Sequence, residues 1–117
     1  MAEVTDKGYQ SIRDFIEANW IYHSLRDEAD EEIIRISPSD ARCEWTHSNG
    51  VQVLEITTTV TGADSDITPP QTFAGSELYD VSSGGDVLAD ETFTQFTIES
   101  DSDELTIKHR IEVPQEG

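Results

Sequence analysis

The chain is short of cysteine and of positive charge. Among 117 residues there is one cysteine, Cys43, so an internal disulfide is excluded. A lone thiol on the more apolar face of its segment reads as a buried, inert side chain. Seven bases stand against twenty-five acids, for a net charge of −18. Lysine occurs twice, as Lys7 and Lys108; the other bases are Arg13, Arg26, Arg35, Arg42 and Arg110. No basic stripe is available to meet phosphates, which argues against nucleic-acid binding. No run of about 18 apolar residues is present, so no membrane span is expected. The segment MAEVTDKGYQ lacks a basic region followed by an apolar stretch, so no signal peptide is expected.

Reaction signatures are missing as well. There is no G-x-S-x-G elbow, no G-x-x-x-x-G-K loop and no H-E-x-x-H pair. Paired carboxylates carry no information where about a fifth of the residues are acidic. Ser82-Ser83-Gly84-Gly85 reads as a flexible turn, because no basic residue or following helix makes it a phosphate cradle. His23, His47 and His109 join Cys43 as the available soft-metal ligands. On a strand, Cys43 and His47 share a face but lie roughly 13 Å apart, too far to share an ion. His109 reads as a hydrogen-bonded core or interface histidine. Asp64-Ser65-Asp66 and Asp101-Ser102-Asp103-Glu104 resemble fragments of calcium loops but lack the remaining EF-hand spacing, and read as solvated loops. No catalytic, cofactor or metal site is assigned, and the chain is expected not to be an enzyme.

What the sequence does hold is β-hairpin pattern. Its length suits one domain burying roughly two-thirds of its unfolded surface. Residues 41–60 read as a hairpin folded at Ser48-Asn49-Gly50, since an Asn-Gly pair accepts the positive φ of a type I′ turn. Ala41, Cys43, Trp45 and His47 share one face of the incoming arm; Leu54, Ile56, Thr58 and Val60 share one face of the outgoing arm. Val51 and Val53 are out of phase, so a bulge is expected near Val53-Leu54. Upstream, residues 8–18 place Tyr9, Ile12, Phe15 and Ile16 on one face of a short helix, with Asp6 as its cap, and this stripe is expected to pack on the core, docking on a neighbouring subunit being the alternative. Residues 19–26 and 31–37 read as strands around a turn at 27–30, with Pro38-Ser39-Asp40 ending the pair. Residues 91–100 and 104–113 read as a further hairpin turning at 101–103. Its second arm alternates cleanly, with Leu105, Ile107, His109, Ile111 and Val113 on one side, and Pro114 stops it.

Between these hairpins, residues 61–90 read as a long loop excursion. Tandem Pro69-Pro70 cannot sit in a central strand. A small hairpin around Gly84-Gly85 is expected inside the excursion, with Leu78 and Val81 facing Val87 and Leu88. Ile67, Phe73, Leu78 and Tyr79 call for an apolar partner, on the same domain or on another subunit. With Trp20, an anchor-type residue, they form the candidate subunit interface. The fold class expected is mainly β: an antiparallel sandwich or small barrel of successive hairpins with one short N-terminal helix.

An acid-rich, lysine-poor chain with Asp-Ser-Asp runs resembles proteins of salt-in halophiles, above all haloarchaea. In molar salt the Debye length falls to about 3 Å and most self-repulsion is screened. Over its whole length, in composition and organisation, the chain resembles small structural proteins of tailed viruses of halophilic archaea: capsid-decoration, neck or tail components. That resemblance implies a virion protein made in the host cytoplasm and assembling with itself and with other virion proteins. It carries no functional residues across, because no motif is shared. The alternative is a cytosolic β-domain of a halophile that binds a small ligand or a protein.

Overall fold

The computed structural model describes residues 2–48 and 50–113. Asn49 of the expected turn and Pro114, the expected stop, lie outside them. One helix, α1 (Asp6–Asn19), precedes seven strands: β1 (Tyr22–Arg26), β2 (Glu32–Ile36), β3 (Cys43–Trp45), β4 (Val53–Thr61), β5 (Gln71–Tyr79), β6 (Ala89–Ile98) and β7 (Glu104–Glu112). They form two antiparallel sheets, one in the order β2-β1-β5-β6 and the other β3-β4-β7. The mainly β sandwich with one N-terminal helix is the expected class. Between the sheets lie Leu25, Ile34, Val60, Ile67, Phe73, Ile98 and Ile107, continuing into Cys43, Ile56 and Leu78.

Helix α1 starts earlier than 8–18 because Thr5, not Asp6, is its cap: the Thr5 hydroxyl accepts from the Gly8 backbone N–H at 3.0 Å. The expected core stripe is split. Ile16 is buried and Tyr9 half-buried, but Ile12 and Phe15 are 43% and 62% exposed. Arg13 takes the buried position instead. A sandwich edge can cover only part of a stripe this wide, so the helix keeps one apolar side facing outward.

The first hairpin, β1–β2, forms, but its first strand begins at Tyr22 and not at residue 19, because Asn19 ends α1 and Trp20 caps it. In the second, β4 buries Leu54, Ile56, Thr58 and Val60, as its alternation predicts. The turn differs. Trp45 opposes Ile56, a register offset from a two-residue turn at Asn49-Gly50. His47 explains the wider loop: its Nδ1 accepts from the Glu55 backbone N–H at 3.1 Å, in place of a backbone carbonyl. No bulge interrupts β4, which pairs without a shift from Val53↔Glu112 to Thr61↔Glu104; Val51 precedes the strand, and both valines are exposed.

Two expectations fail together. Residues 61–90 are not one excursion, because 71–79 form β5, paired with β1 on one side and β6 on the other. Residues 91–113 are not a hairpin, because β6 belongs to the β5 sheet and β7 pairs with β4 in the other. The segment between β6 and β7 is an arch that changes sheets. Gly62 makes the arch possible: it donates to the Asp103 carbonyl at 3.0 Å, and a β-carbon there would lie 2.0 Å from the Ser100 carbonyl oxygen. Pro69-Pro70, joined by a cis bond, ends just before β5 and so breaks no ladder. Gly84 and Gly85 do turn the chain with φ of +63° and +78°, but they close the much longer β5–β6 hairpin, and Val81 and Val87 are exposed.

Candidate functional site

The expected interface residues are inside their own domain. Ile67, Phe73, Leu78 and Tyr79 are all buried, and Trp20 is half-buried at the C-cap of α1. Phe73 and Ile67 fill the layer between the sheets. The apolar partner that Ile67, Phe73, Leu78 and Tyr79 require is the chain itself, so these four are withdrawn as a subunit interface, whereas Trp20 keeps part of its surface outside.

The same layer holds a polar cluster drawn from four strands. His23 on β1 and Thr58 on β4 are hydrogen-bonded, Nδ1 to Oγ1, at 2.7 Å. Ser76 on β5 and His109 on β7 are hydrogen-bonded, Oγ to Nδ1, at 2.7 Å. The two imidazoles meet edge to face with centroids 5.9 Å apart. Each bond ties one sheet to the other. Burial, with His109 alongside, pushes the His23 pKa down to about 3. Burial also lowers that of His109, against the opposing charges of Glu91 and Asp90. Cys43 joins the cluster beside Thr58, and burial raises its thiol pKa, which makes it an unreactive thiol. A hydroxyl 2.7 Å from an imidazole has the spacing of a nucleophile and its base. Here Ser76 and His109 are buried in the intersheet layer, where a substrate has no approach. The cluster can hold the sheets together and titrate; it is not built to turn over a substrate.

On the surface, the arginines are occupied by carboxylates. Arg42 is ringed by Asp40 at 2.9 Å, Asp64 at 3.1 Å and Asp66 at 2.8 Å. Hydrogen bonds from Arg42 hold the Asp40 pKa at about 2 and lower that of Asp66. Asp64-Ser65-Asp66, expected as a solvated loop, therefore grips a guanidinium. Asp64 also accepts from the Thr61 backbone N–H at 3.0 Å. In the other acidic run Asp103 accepts from the backbone N–H groups of Glu99 and Ser100, an ordinary turn. Arg26 pairs with Glu77 at 2.6 Å, and the Tyr79 hydroxyl donates to the same carboxylate at 2.8 Å. Arg35 stacks 3.6 Å from the Tyr79 ring centre and donates to the carbonyls of Val81 and Gly84, pinning the β5–β6 connection over the sheet. Arg110 pairs with Glu55 at 2.8 Å. Among the described residues no group of side chains is placed to hold a metal ion, and no helix is long and apolar enough to cross a membrane.

Among the described residues, two apolar surfaces carry an exposed aromatic side chain. One is the outer stripe of α1: Gly8, Ile12 and Phe15, spaced four and three apart, fall on one helical side. Val4 lies against Gly8 at its start. The other is a groove of about 450 Å³ between the edges of β6 and β7, lined chiefly by Phe93, Phe96, Leu105 and Ile107. The pairing of β5 with β6 slips between Phe73 and Gly75, and the slip lets Phe93 and Phe96, three apart, both reach the groove. Phe96 is 40% exposed. The surfaces lie at opposite edges of the sandwich. Helix α1 is tied near β3 by a 2.5 Å contact between Glu17 and His47, whereas β6 and β7 are the far strands of their sheets. The sequence favoured the core for Ile12 and Phe15 over docking on a neighbouring subunit; the clue to their exposure was a stripe too wide for one contact. The spacing of Phe93 and Phe96 was the only sign of the groove, because a regular strand sends such a pair to opposite faces.

Comparison of the chain with protein-family models, with curated proteins and with solved structures finds no match.

Proposed function

We propose that the chain is a non-enzymatic structural protein of a tailed virus of halophilic archaea, a capsid-decoration, neck or tail component that works through contacts between subunits. The observation that carries the reading is the placement of the exposed phenylalanines: Phe15 and Phe96 mark apolar surfaces at opposite edges of one small sandwich. Contiguous apolar surface that a monomer leaves uncovered marks contact sites. The groups with chemical potential, His23, Ser76, His109 and Cys43, are enclosed between the sheets. With a net charge of −18 the remaining surface repels other copies in dilute buffer, and brine removes that barrier. The test is light scattering of the purified chain in about 2 M potassium chloride, where screening lengths fall to roughly 3 Å or less. Rings, trimers or larger species that grow with protein concentration are expected. A monomer at every concentration reached overturns the reading.

A further inference from the structure

We propose that the two imidazoles between the sheets form a two-step acid switch: a first proton is held at His109 inside the closed layer, and a second, at His23, parts the sheets at the end of the sandwich that holds Cys43. The switch belongs to the single chain and does not depend on contacts between copies.

The two rings are not equivalent. Glu91 and Asp90 of β6 act on His109, and their charges favour its protonated form. A proton arriving there meets opposite charge without any strand moving. Among the described residues, the charge acting on His23 is that of His109 itself, whose ring lies edge to face at 5.9 Å. The Nδ1 of His23 is taken by the Thr58 hydroxyl, and its Nε2 is buried with no hydrogen-bond partner. An imidazolium donates from both nitrogens. Protonated in the closed layer, His23 would hold an N–H that nothing accepts and a second positive charge beside the first, an arrangement that a low-dielectric interior penalises. The other strands around the pair offer no relief. β3 brings Cys43, on which Asp40 and Glu44 act; β4 brings Thr58, β5 brings Ser76, and β2 brings Ile36, which pairs with His23.

The place that opens follows from the registers. His23 pairs with Leu78 and His109 with Ile56, so both rings stand beside the smaller apolar cluster of Cys43, Ile56 and Leu78. The larger cluster lies toward the arch: its Val60 and Ile98 stand two residues before Gly62 and Ser100, where Gly62 donates to the Asp103 carbonyl. Charge entering at His23 therefore loosens the Cys43 end and leaves the arched end closed. Packing that is lost while strands persist is a known form of acid-induced state. Above the ordinary histidine value of 6.5 both the opened and the closed layer leave His23 neutral, and the switch stays shut. Below it the opened layer takes up a proton that the closed one refuses, so each pH unit favours opening by up to about tenfold.

Cys43, 2% exposed, reports the opening. The unmodified chain is labelled with a pyridyl disulfide in molar potassium chloride at pH 7, 6 and 5, each rate is divided by that of free cysteine, and far-UV circular dichroism is recorded alongside. The normalised rate should rise by about tenfold or more per pH unit below 6.5 while the strand signal holds. His23→Gln, which keeps a hydrogen-bonding group beside Thr58 but takes up no proton, should lose about tenfold per unit of that rise. Ring resonances of the unmodified chain give a second reading that needs no variant: in the folded protein His109 should titrate at a higher pH than His23. A flat rate, an equal rise in His23→Gln, a rise that comes only with loss of the strand signal, or His23 titrating first each overturns the switch.

Discussion

Acidification should unlock the sandwich through its two buried histidines. His23 has an ordinary pKa of 6.5 and a folded value of about 3. The unfolded chain therefore takes up a proton near pH 6.5 that the folded chain refuses until about pH 3. A depressed histidine pKa means that its contribution to stability is intact above 6.5 and is lost progressively as pH falls toward 3. At pH 5 the loss from His23 alone is about 2 kcal/mol, since each pH unit below 6.5 removes about 1.4 kcal/mol. His109 is shifted the same way and adds to it, although Glu91 and Asp90 temper its shift. Carboxylates do not mask the effect in this window. Asp40 is held at about 2, and Glu32, Glu55, Asp64 and Asp66 are also lowered, so their contributions fade only further into acid. Relief of general acidic repulsion works in the opposite direction, which is why the measurement belongs in molar potassium chloride. Urea unfolding followed by tryptophan fluorescence at pH 7, 6 and 5 is the assay. Stability should drop by about 2 kcal/mol or more from pH 7 to pH 5, a fall in midpoint temperature of roughly 10 °C for a domain this size. His23→Gln, which keeps a neutral hydrogen-bonding group beside Thr58, should lower the slope between pH 6 and pH 5 by about 1.4 kcal/mol per unit. An unchanged slope in that variant would refute the assignment.

Three further outcomes follow from named contacts. Gly62→Ala pushes a β-carbon to 2.0 Å from the Ser100 carbonyl and should cost about 3 kcal/mol or more, read as a large drop in thermal midpoint or as insoluble expression; a folded protein of unchanged midpoint would mean the arch is not packed as described. Arg42→Gln leaves Asp40, Asp64 and Asp66 facing one another and should lose about 1–2 kcal/mol in urea unfolding at low salt. Molar potassium chloride should restore part of that loss, and equal losses at both salts would count against the electrostatic account. The unmodified chain should gain thermal midpoint strongly between about 0.1 M and 2 M potassium chloride, as the Debye length shrinks from about 10 Å to a few Å; a flat response would sink the halophilic reading.

The parts of the fold that could be read in the sequence are those where one strand face is buried and one is wet. β4 and β7 alternate because each shows an outer face to solvent, and their inward sets were read correctly. β5 could not be read this way. Phe73, Ser76 and Leu78 are all buried, and so is Tyr79 on the other face, under Arg35 and the connection that Arg35 pins. Burial on both faces erases the period of two, and the slip between Phe73 and Gly75 changes the phase as well. Once β5 passed for loop, β6 had no visible partner, and the next strand in sequence took its place. The mistaken hairpin at 91–113 follows from the missed strand at 71–79.

The candidate site was less legible than the fold, for a related reason. Local pattern reports which side of an element is apolar, not whether anything covers it. Ile12 and Phe15 satisfy the helical period as well as Tyr9 and Ile16 do, yet only the second pair lies against the domain. What separates the pairs is Arg13, buried beside Ile16. Its position rotates the covered side of α1 away from the stripe, and no propensity predicts a buried arginine. The polar cluster hid in the same way. His23 lies thirty-five residues from Thr58, and Ser76 thirty-three from His109. Each pair meets only because strands of different sheets face each other. A histidine on an apolar strand face, which His109 plainly was, announces a buried hydrogen bond without naming its partner. Burial lowers the pKa of both imidazoles, and a hydroxyl partner, unlike a carboxylate, brings no charge to offset it. That pairing makes the layer between the sheets the place where acid attacks first, whatever the charge of the surface outside it.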